Sequence, residues 1–152
     1  VRKRPASFKV ARTAAHLQAL NEGEGGASQV GKFATLYPTT DDEAVELARA
    51  LADATRGLRG PRVPSDRPLS ANCLVSYRYA SDGSTMVTPI GEITYALRLP
   101  SGALAPERRL DHYEAPPEVV DPFVMAGLVE PEPPEPKMLG ERYVRLARLY
   151  AS

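Results

Sequence analysis

A lysine follows a glycine-rich loop in the segment 25–38, which reads Gly-Gly-Ala-Ser-Gln-Val-Gly-Lys-Phe-Ala-Thr-Leu-Tyr-Pro. Glycines let a backbone approach a ligand closely, and the aromatic and branched run 33–37, which a proline ends, predicts a strand. Successive backbone N–H groups together with the charge of Lys32 are suited to binding an anion. An ordinary turn into a core strand explains the same residues, because isolated glycine motifs have low specificity.

Other polar side chains also lie where they could take part in chemistry. Lys9 lies between two apolar residues in a short predicted strand, and Arg78 lies in a later one. Between two prolines, the triplet 65–67 (Ser-Asp-Arg) forms a polar loop. From the residues alone, Lys9 is better explained as a surface lysine and the arginines as members of structural ion pairs. His16 is expected to be a surface residue of a helix.

Composition limits the class of protein. The 152 residues are 43% hydrophobic and 25% charged, which predicts one soluble domain with a real core. Nineteen basic residues balance nineteen acidic ones, which argues against nucleic acid or a membrane as partner. The single cysteine, Cys73, excludes an intrachain disulfide and favours a reducing, cytoplasmic location. Two distant histidines and this cysteine form no zinc pattern, so no metal is expected.

Capping residues predict the helices. Thr13 is placed to cap a helix over 14–21, and the capping box Thr-Asp-Asp-Glu at 40–43 begins a second helix that ends near Gly57. Asp121 followed by Pro122 indicates a third helix start.

Strands are predicted from alternation and turn residues. The alternating run 73–79 is expected to pair, through an Asp-Gly turn, with a returning strand over 85–89. A second hairpin joins 93–99 to 103–105. Fifteen prolines indicate long irregular connections. The fold class predicted is therefore α+β, with a small mixed or antiparallel sheet, two main helices and long proline-rich loops.

The segment 130–136, Glu-Pro-Glu-Pro-Pro-Glu-Pro, has the composition of a stiff linker. We expect a domain over 1–128, an acidic proline-rich linker over 129–138, and the first strand of a following domain over 139–152.

Taken together, several segments resemble the N-terminal lyase domain of class III and class IV lanthipeptide synthetases, which precedes kinase-like and cyclase domains. The matching segments, in the order of the family, are 8–10 (Phe-Lys-Val), 20–23 (Leu-Asn-Glu-Gly), 31–38 (Gly-Lys-Phe-Ala-Thr-Leu-Tyr-Pro), 64–68 (Pro-Ser-Asp-Arg-Pro), 75–79 (Val-Ser-Tyr-Arg-Tyr) and 121–123 (Asp-Pro-Phe). After the linker, 139–143 (Leu-Gly-Glu-Arg-Tyr) resembles the lead-in to the kinase domain. The lyase domain is in turn similar to secreted bacterial phosphothreonine lyases.

The resemblance implies β-elimination of phosphate from phosphoserine or phosphothreonine in a precursor peptide, giving dehydroalanine or dehydrobutyrine without metal or organic cofactor. Lys9 matches the family's general base, and a lysine can be a base only when it is neutral. Lys32, Arg67 and Arg78 are the candidates for meeting the charge of the leaving phosphate, and Tyr37 for orienting the substrate. The implied partners are the phosphorylated precursor peptide and the adjacent kinase and cyclase domains.

Two positions depart from the family. A Lys-x-His strand that carries the family's general acid precedes the base strand, but no histidine precedes Phe8 here, and neither His16 nor His112 matches that position. Ala27 stands where many relatives have arginine. Either part of the lyase domain lies outside this sequence or the domain is reduced. The alternative function is therefore a non-catalytic domain that binds phosphopeptide or leader peptide for a kinase.

Overall fold

The computed structural model describes residues 6–81, 83–108, 112–116 and 118–130, and these form an α+β fold, as predicted. The helices are α1 (Ala14–Asn21), α2 (Asp41–Ala54) and α3 (Pro122–Met125). The strands are β1 (Ser7–Val10), β2 (Ala34–Tyr37), β3 (Arg67–Pro68), β4 (Ser76–Tyr77), β5 (Thr85–Val87), β6 (Ile93–Arg98) and β7 (Leu104–Pro106). Most of the predicted linker and the predicted final strand, from residue 131 onward, lie outside the described residues.

Each of the three helices in the described residues begins where the sequence predicts. The Thr13 hydroxyl accepts a hydrogen bond from the His16 amide at 3.1 Å, and the Thr40 hydroxyl accepts one from the Glu43 amide at 3.2 Å. The Glu43 carboxylate in turn accepts from the Thr39 amide at 2.7 Å, one residue before the cap. Asp121 caps α3 and has Pro122 at the first helical position. These side chains satisfy amide groups that a helix start leaves without intrahelical acceptors.

Within the described parts of the chain, the strands form three small antiparallel sheets: β1–β2, β3–β4 and β5–β6–β7. The hairpin predicted between 73–79 and 85–89 is wrong, because β4 pairs with β3 and β5 pairs with β6. The amide of Leu69 donates to the carbonyl of Val75 at 3.0 Å, so the run 73–79 finds its partner in the preceding loop. The second predicted hairpin is confirmed, since β6 pairs with β7 through the turn near Gly102.

The main core lies between α2, α3 and the segment around β3 and β4. Its buried residues are Ala48, Leu69, Phe123 and Val129. The β1–β2 ribbon stands apart from this cluster, and the whole of β1 is exposed. None of the helices within the described residues is long and apolar enough to cross a membrane.

Candidate functional site

A cavity of about 280 Å³ lies beside the β1–β2 ribbon, between the ribbon, α1 and the glycine-rich loop. Antiparallel pairing places Lys9 opposite Thr35, so the two side chains share one face of the ribbon. The polar side chains that line the cavity are Lys9, His16, Gln29, Lys32 and Thr35. Its apolar lining is Val10, Ala11, Leu20 and Phe33. The fold therefore brings together two lysines that are 23 positions apart in the sequence.

Lys9 is held by a neutral partner. Its Nζ donates to Oε1 of Gln29 at 3.1 Å, and Nε2 of Gln29 donates to the hydroxyl of Ser28 at 3.3 Å. Gln29 ends the 3₁₀ turn Ala27–Gln29 of the glycine-rich loop. The loop thus orients the Lys9 side chain without neutralising its charge.

Lys32 is held by an ionised partner. Its Nζ lies 2.9 Å from Oδ1 and 2.8 Å from Oδ2 of Asp66, and both side chains are only about a tenth exposed (11% and 10%). The neighbouring Ser65, which is 1% exposed, donates from its hydroxyl to Oδ1 of Asp66 at 2.9 Å. Because the Asp66 carboxylate is itself hydrogen-bonded, it is a fixed anchor for the lysine.

Burial lowers the pKa of Lys32, because water is removed from the charged ammonium group. The hydrogen bond and the charge of Asp66 oppose this shift, while the charges of Arg78 and Lys9 add to it. The positive charges of Lys9 and Arg78 are thus each close enough to repel that of Lys32, and Asp66 partly compensates. Such a cluster attracts an anion that can face several cations at once.

Arg78 belongs to this cluster because its side chain and that of Lys32 both lie near the carboxylate of Asp66. Its guanidinium lies 4.0 Å from Oδ1 of Asp66 and 3.5 Å from the carboxylate of Glu107. Its buried Nε has no hydrogen-bond partner among the described residues. The Asp66 side chain therefore joins Lys32 to Arg78, although Arg78 itself does not line the cavity.

The glycine-rich loop uses most of its amide groups internally. The amides of Gly26, Gln29, Val30 and Lys32 donate to carbonyl groups of the loop, and the Gly31 amide donates to the side chain of Asn21 at 3.1 Å. An anion in the cavity would accordingly meet side chains rather than a row of unpaired loop amides.

The family model for the N-terminal domain of RamC matches residues 1–134. The chain belongs to this family. It is therefore related to the N-terminal domain of lanthipeptide synthetases. No curated protein matches the chain in sequence.

In this RamC-type domain, Arg67 and Tyr37 lie outside the cavity lining. The guanidinium of Arg67 binds the carboxylate of Asp121 at 3.1 Å and the carbonyl of Glu130 at 2.8 Å. Tyr37 lies two residues beyond Thr35 on the same face of β2 and is 45% exposed. Of the predicted site residues, the fold of the RamC-type domain unites Lys9 and Lys32 and places Arg78 beside them. The phosphate-binding role of Arg67 and the orienting role of Tyr37 stay predictions.

Sequence reasoning gave no role to Asp66, Gln29 or His16. Asp66 lies in the same triplet as Arg67. Its position in a loop that two prolines hold stiff was the feature that could have indicated a role for it. Gln29 carried no signal that distinguishes it from any polar loop residue. Among the residues described for the RamC-type domain, no group of three or more His, Cys, Asp or Glu side chains is arranged to hold a metal ion.

Proposed function

We propose that this RamC-type domain eliminates phosphate from phosphoserine or phosphothreonine in a precursor peptide during lanthipeptide biosynthesis. The observation that carries the proposal is a single cavity lined by both Lys9 and the Asp66-anchored Lys32. A β-elimination needs a base at the α-carbon and a cation at the leaving group, and the two must lie within one residue's length of substrate.

In the proposed reaction, neutral Lys9 removes the α-proton, and the electron pair of that C–H bond forms the Cα=Cβ double bond. The Cβ–O bond breaks, and its electron pair leaves with the phosphate. Over the whole reaction one proton moves from carbon to phosphate, so the products are a dehydroamino acid and hydrogen phosphate. Lys32 stabilises the negative charge that develops on the leaving group, and Arg78 adds to the local positive potential.

Phosphopeptide binding without turnover is the second candidate function, and one observation favours it. Lys9 is exposed on β1, whereas removal of a carbon-bound proton by lysine requires shielding that favours its neutral form. A domain with two fixed cations at an open cavity would still hold a phosphorylated side chain for an adjacent kinase.

Substitution of Lys9 separates the two functions. The purified protein is mixed with a phosphoserine peptide, and loss of phosphoric acid is followed by mass spectrometry while affinity is measured by fluorescence anisotropy. Lys9→Arg keeps the positive charge but cannot act as a base. We expect wild type to eliminate phosphate and Lys9→Arg to lose at least about 100-fold in rate, a typical contribution of a positioned base, while its peptide affinity is retained.

The control is Arg59→Ala, which removes an exposed arginine that is remote in sequence from the cavity residues. This variant should keep both phosphate elimination and peptide affinity. Elimination by Lys9→Arg at the wild-type rate would exclude Lys9 as the base. Tight binding by wild type with no elimination would favour the non-catalytic function.

A further inference from the structure

The cavity holds an imidazole that the proposed reaction does not yet use. His16 lies in the first turn of α1 and lines the cavity together with Lys9 and Lys32. Its side chain is exposed, as the sequence predicted, and it forms part of the cavity lining. Neither its burial nor its helix position requires a histidine there.

One hydrogen bond of the ring indicates which nitrogen carries the proton. Nδ1 of His16 accepts from the backbone amide of Arg12 at 3.4 Å. A nitrogen that accepts from an N–H group is unprotonated, so the neutral ring carries its proton on Nε2. Nε2 has no partner in the part of the chain that the structure describes. The ring therefore offers the cavity a single donor.

The other nitrogen donors of the cavity already have protein partners. Lys9 donates to Gln29, Gln29 donates to Ser28, and Lys32 is bound to Asp66. A neutral imidazole N–H adds a donor without placing a further positive charge beside the two lysines, whose charges already repel. Such a donor stabilises an anionic leaving group, because the negative charge on that group increases as its bond to carbon breaks.

We propose that Nε2–H of His16 donates a hydrogen bond to the leaving phosphate oxygen, in the cavity that Lys32 also lines. This role rests on the proposed elimination for its effect on rate, but the phosphate contact itself does not need turnover. His16 is then a catalytic residue that touches the substrate, and the Arg12 amide is the group that holds its tautomer.

The activity test compares two replacements of the ring. His16→Phe keeps a planar ring without an N–H donor, and His16→Gln places an amide N–H near the position of Nε2. Loss of one donor to a developing anion lowers kcat by about 100-fold or more, so we expect this loss in His16→Phe and at least a tenfold recovery in His16→Gln. His112→Phe changes the other histidine, which bonds Glu114 and does not line the cavity, and should leave kcat unchanged.

A second measurement does not depend on turnover. Long-range ¹H–¹⁵N NMR spectra report the tautomer of each histidine and its response to a phosphoserine peptide or to the same peptide without phosphate. We expect the His16 ring to show the Nε2–H tautomer and to shift only with the phosphorylated peptide, while His112 does not shift. Absence of a phosphate-specific shift at His16 would overturn the proposal.

The two measurements distinguish the failure of this proposal from failure of the elimination. If wild type eliminates phosphate and His16→Phe is equally active, the elimination stands and the His16 role is refuted. If wild type eliminates nothing but the His16 ring responds to phosphopeptide, the phosphate contact stands and the domain is a binding module.

Discussion

The two lysines of the cavity have different environments, and the difference suits different tasks. Lys9 is exposed and bonded to the neutral amide of Gln29, whereas Lys32 is largely buried and bonded twice to the carboxylate of Asp66. A fixed cation has to stay in place and stay charged, which the bidentate carboxylate favours. A base has to be free to leave its partner, and a single hydrogen bond to an amide is the weaker restraint.

The lowered pKa of Lys32 predicts how stability depends on pH. Its pKa lies below the ordinary lysine value of 10.5 mainly because of burial. Between the lowered folded value and 10.5, the unfolded chain binds a proton that the folded protein has released, so the free energy of unfolding rises with pH. Relative to Lys32→Met, wild type should therefore gain stability as the pH approaches 10.5, measured by urea unfolding at a series of pH values.

The control for this prediction is Arg59→Met, which removes an exposed cation that does not titrate in this range. Wild type and Arg59→Met should differ by the same amount at every pH. Parallel curves for wild type and Lys32→Met would show that Lys32 keeps an ordinary pKa in the folded protein.

At the scale of elements, Gly31 sets how the glycine-rich loop joins β2. Its φ of +80° is favourable only for glycine, and a Cβ added there would lie 2.2 Å from the carbonyl oxygen of Arg62. The backbone of the loop thus packs directly against the segment that leads to Asp66. This close approach brings Lys32 to its carboxylate, so the glycine acts through backbone packing.

Two glycines of the same loop provide a matched pair of variants. Gly26 has a φ of +84°, but a Cβ there would meet nothing within 4 Å. Gly26→Ala should therefore lose only the cost of placing an alanine at φ +84° and ψ 161°, a backbone region that is nearly exclusive to glycine, about 2 kcal/mol. Gly31→Ala adds a backbone clash and should lose about 3 kcal/mol or more. Urea unfolding measures both values, and equal losses would contradict the packing role of Gly31.

Local signals predicted the helices because a cap is decided within four residues. Thr13, Thr40 and Asp121 each bond amides of their own helix, so their neighbours in sequence contain the whole interaction. Strand pairing is decided over longer distances, and β4 pairs with β3 although the Asp-Gly turn favoured pairing with β5. Only two residues of the alternating run 73–79 form a ladder, because the rest of the run packs or bonds outside it.

In the candidate site, too, local features were predictable from the sequence and long-range contacts were not. The strand around Lys9 and the strand after Lys32 were both predicted, and the register that sets Lys9 opposite Thr35 follows from their pairing. The partners of the two lysines were not predictable from local sequence, because Asp66 lies 34 residues from Lys32 and Gln29 lies 20 from Lys9. The type of a residue alone does not reveal which distant residue its side chain will bond to.

At the scale of the whole molecule, two consecutive residues connect the site to the core. Asp66 bonds Lys32 at the cavity, and Arg67 bonds Asp121 at the start of α3. Directly opposite Arg67 in the β3–β4 sheet, Tyr77 donates to the same Asp121 oxygen at 2.6 Å and packs on Phe123 in the core. The loop 65–67 therefore holds the cavity wall on one side and the packing of α3 on the other.

Arg67→Ala tests whether this arginine stabilises the fold or binds phosphate. Removing one partner of a largely buried ion pair leaves Asp121 uncompensated, and such losses are typically about 3 kcal/mol. Tyr77→Phe removes only the hydrogen bond to the carboxylate and should lose about 2 kcal/mol. In urea unfolding we expect both variants to be less stable than wild type, with the larger loss in Arg67→Ala.

Phosphopeptide affinity measured on the folded fraction completes the test, because Tyr77→Phe weakens the same anchor without removing a cation. If Arg67 is structural, both variants keep the affinity of wild type once they are folded. If Arg67→Ala instead keeps its stability and loses affinity while Tyr77→Phe loses neither, the arginine binds phosphate as the sequence predicted. Its bond to Asp121 would then be one that the substrate displaces.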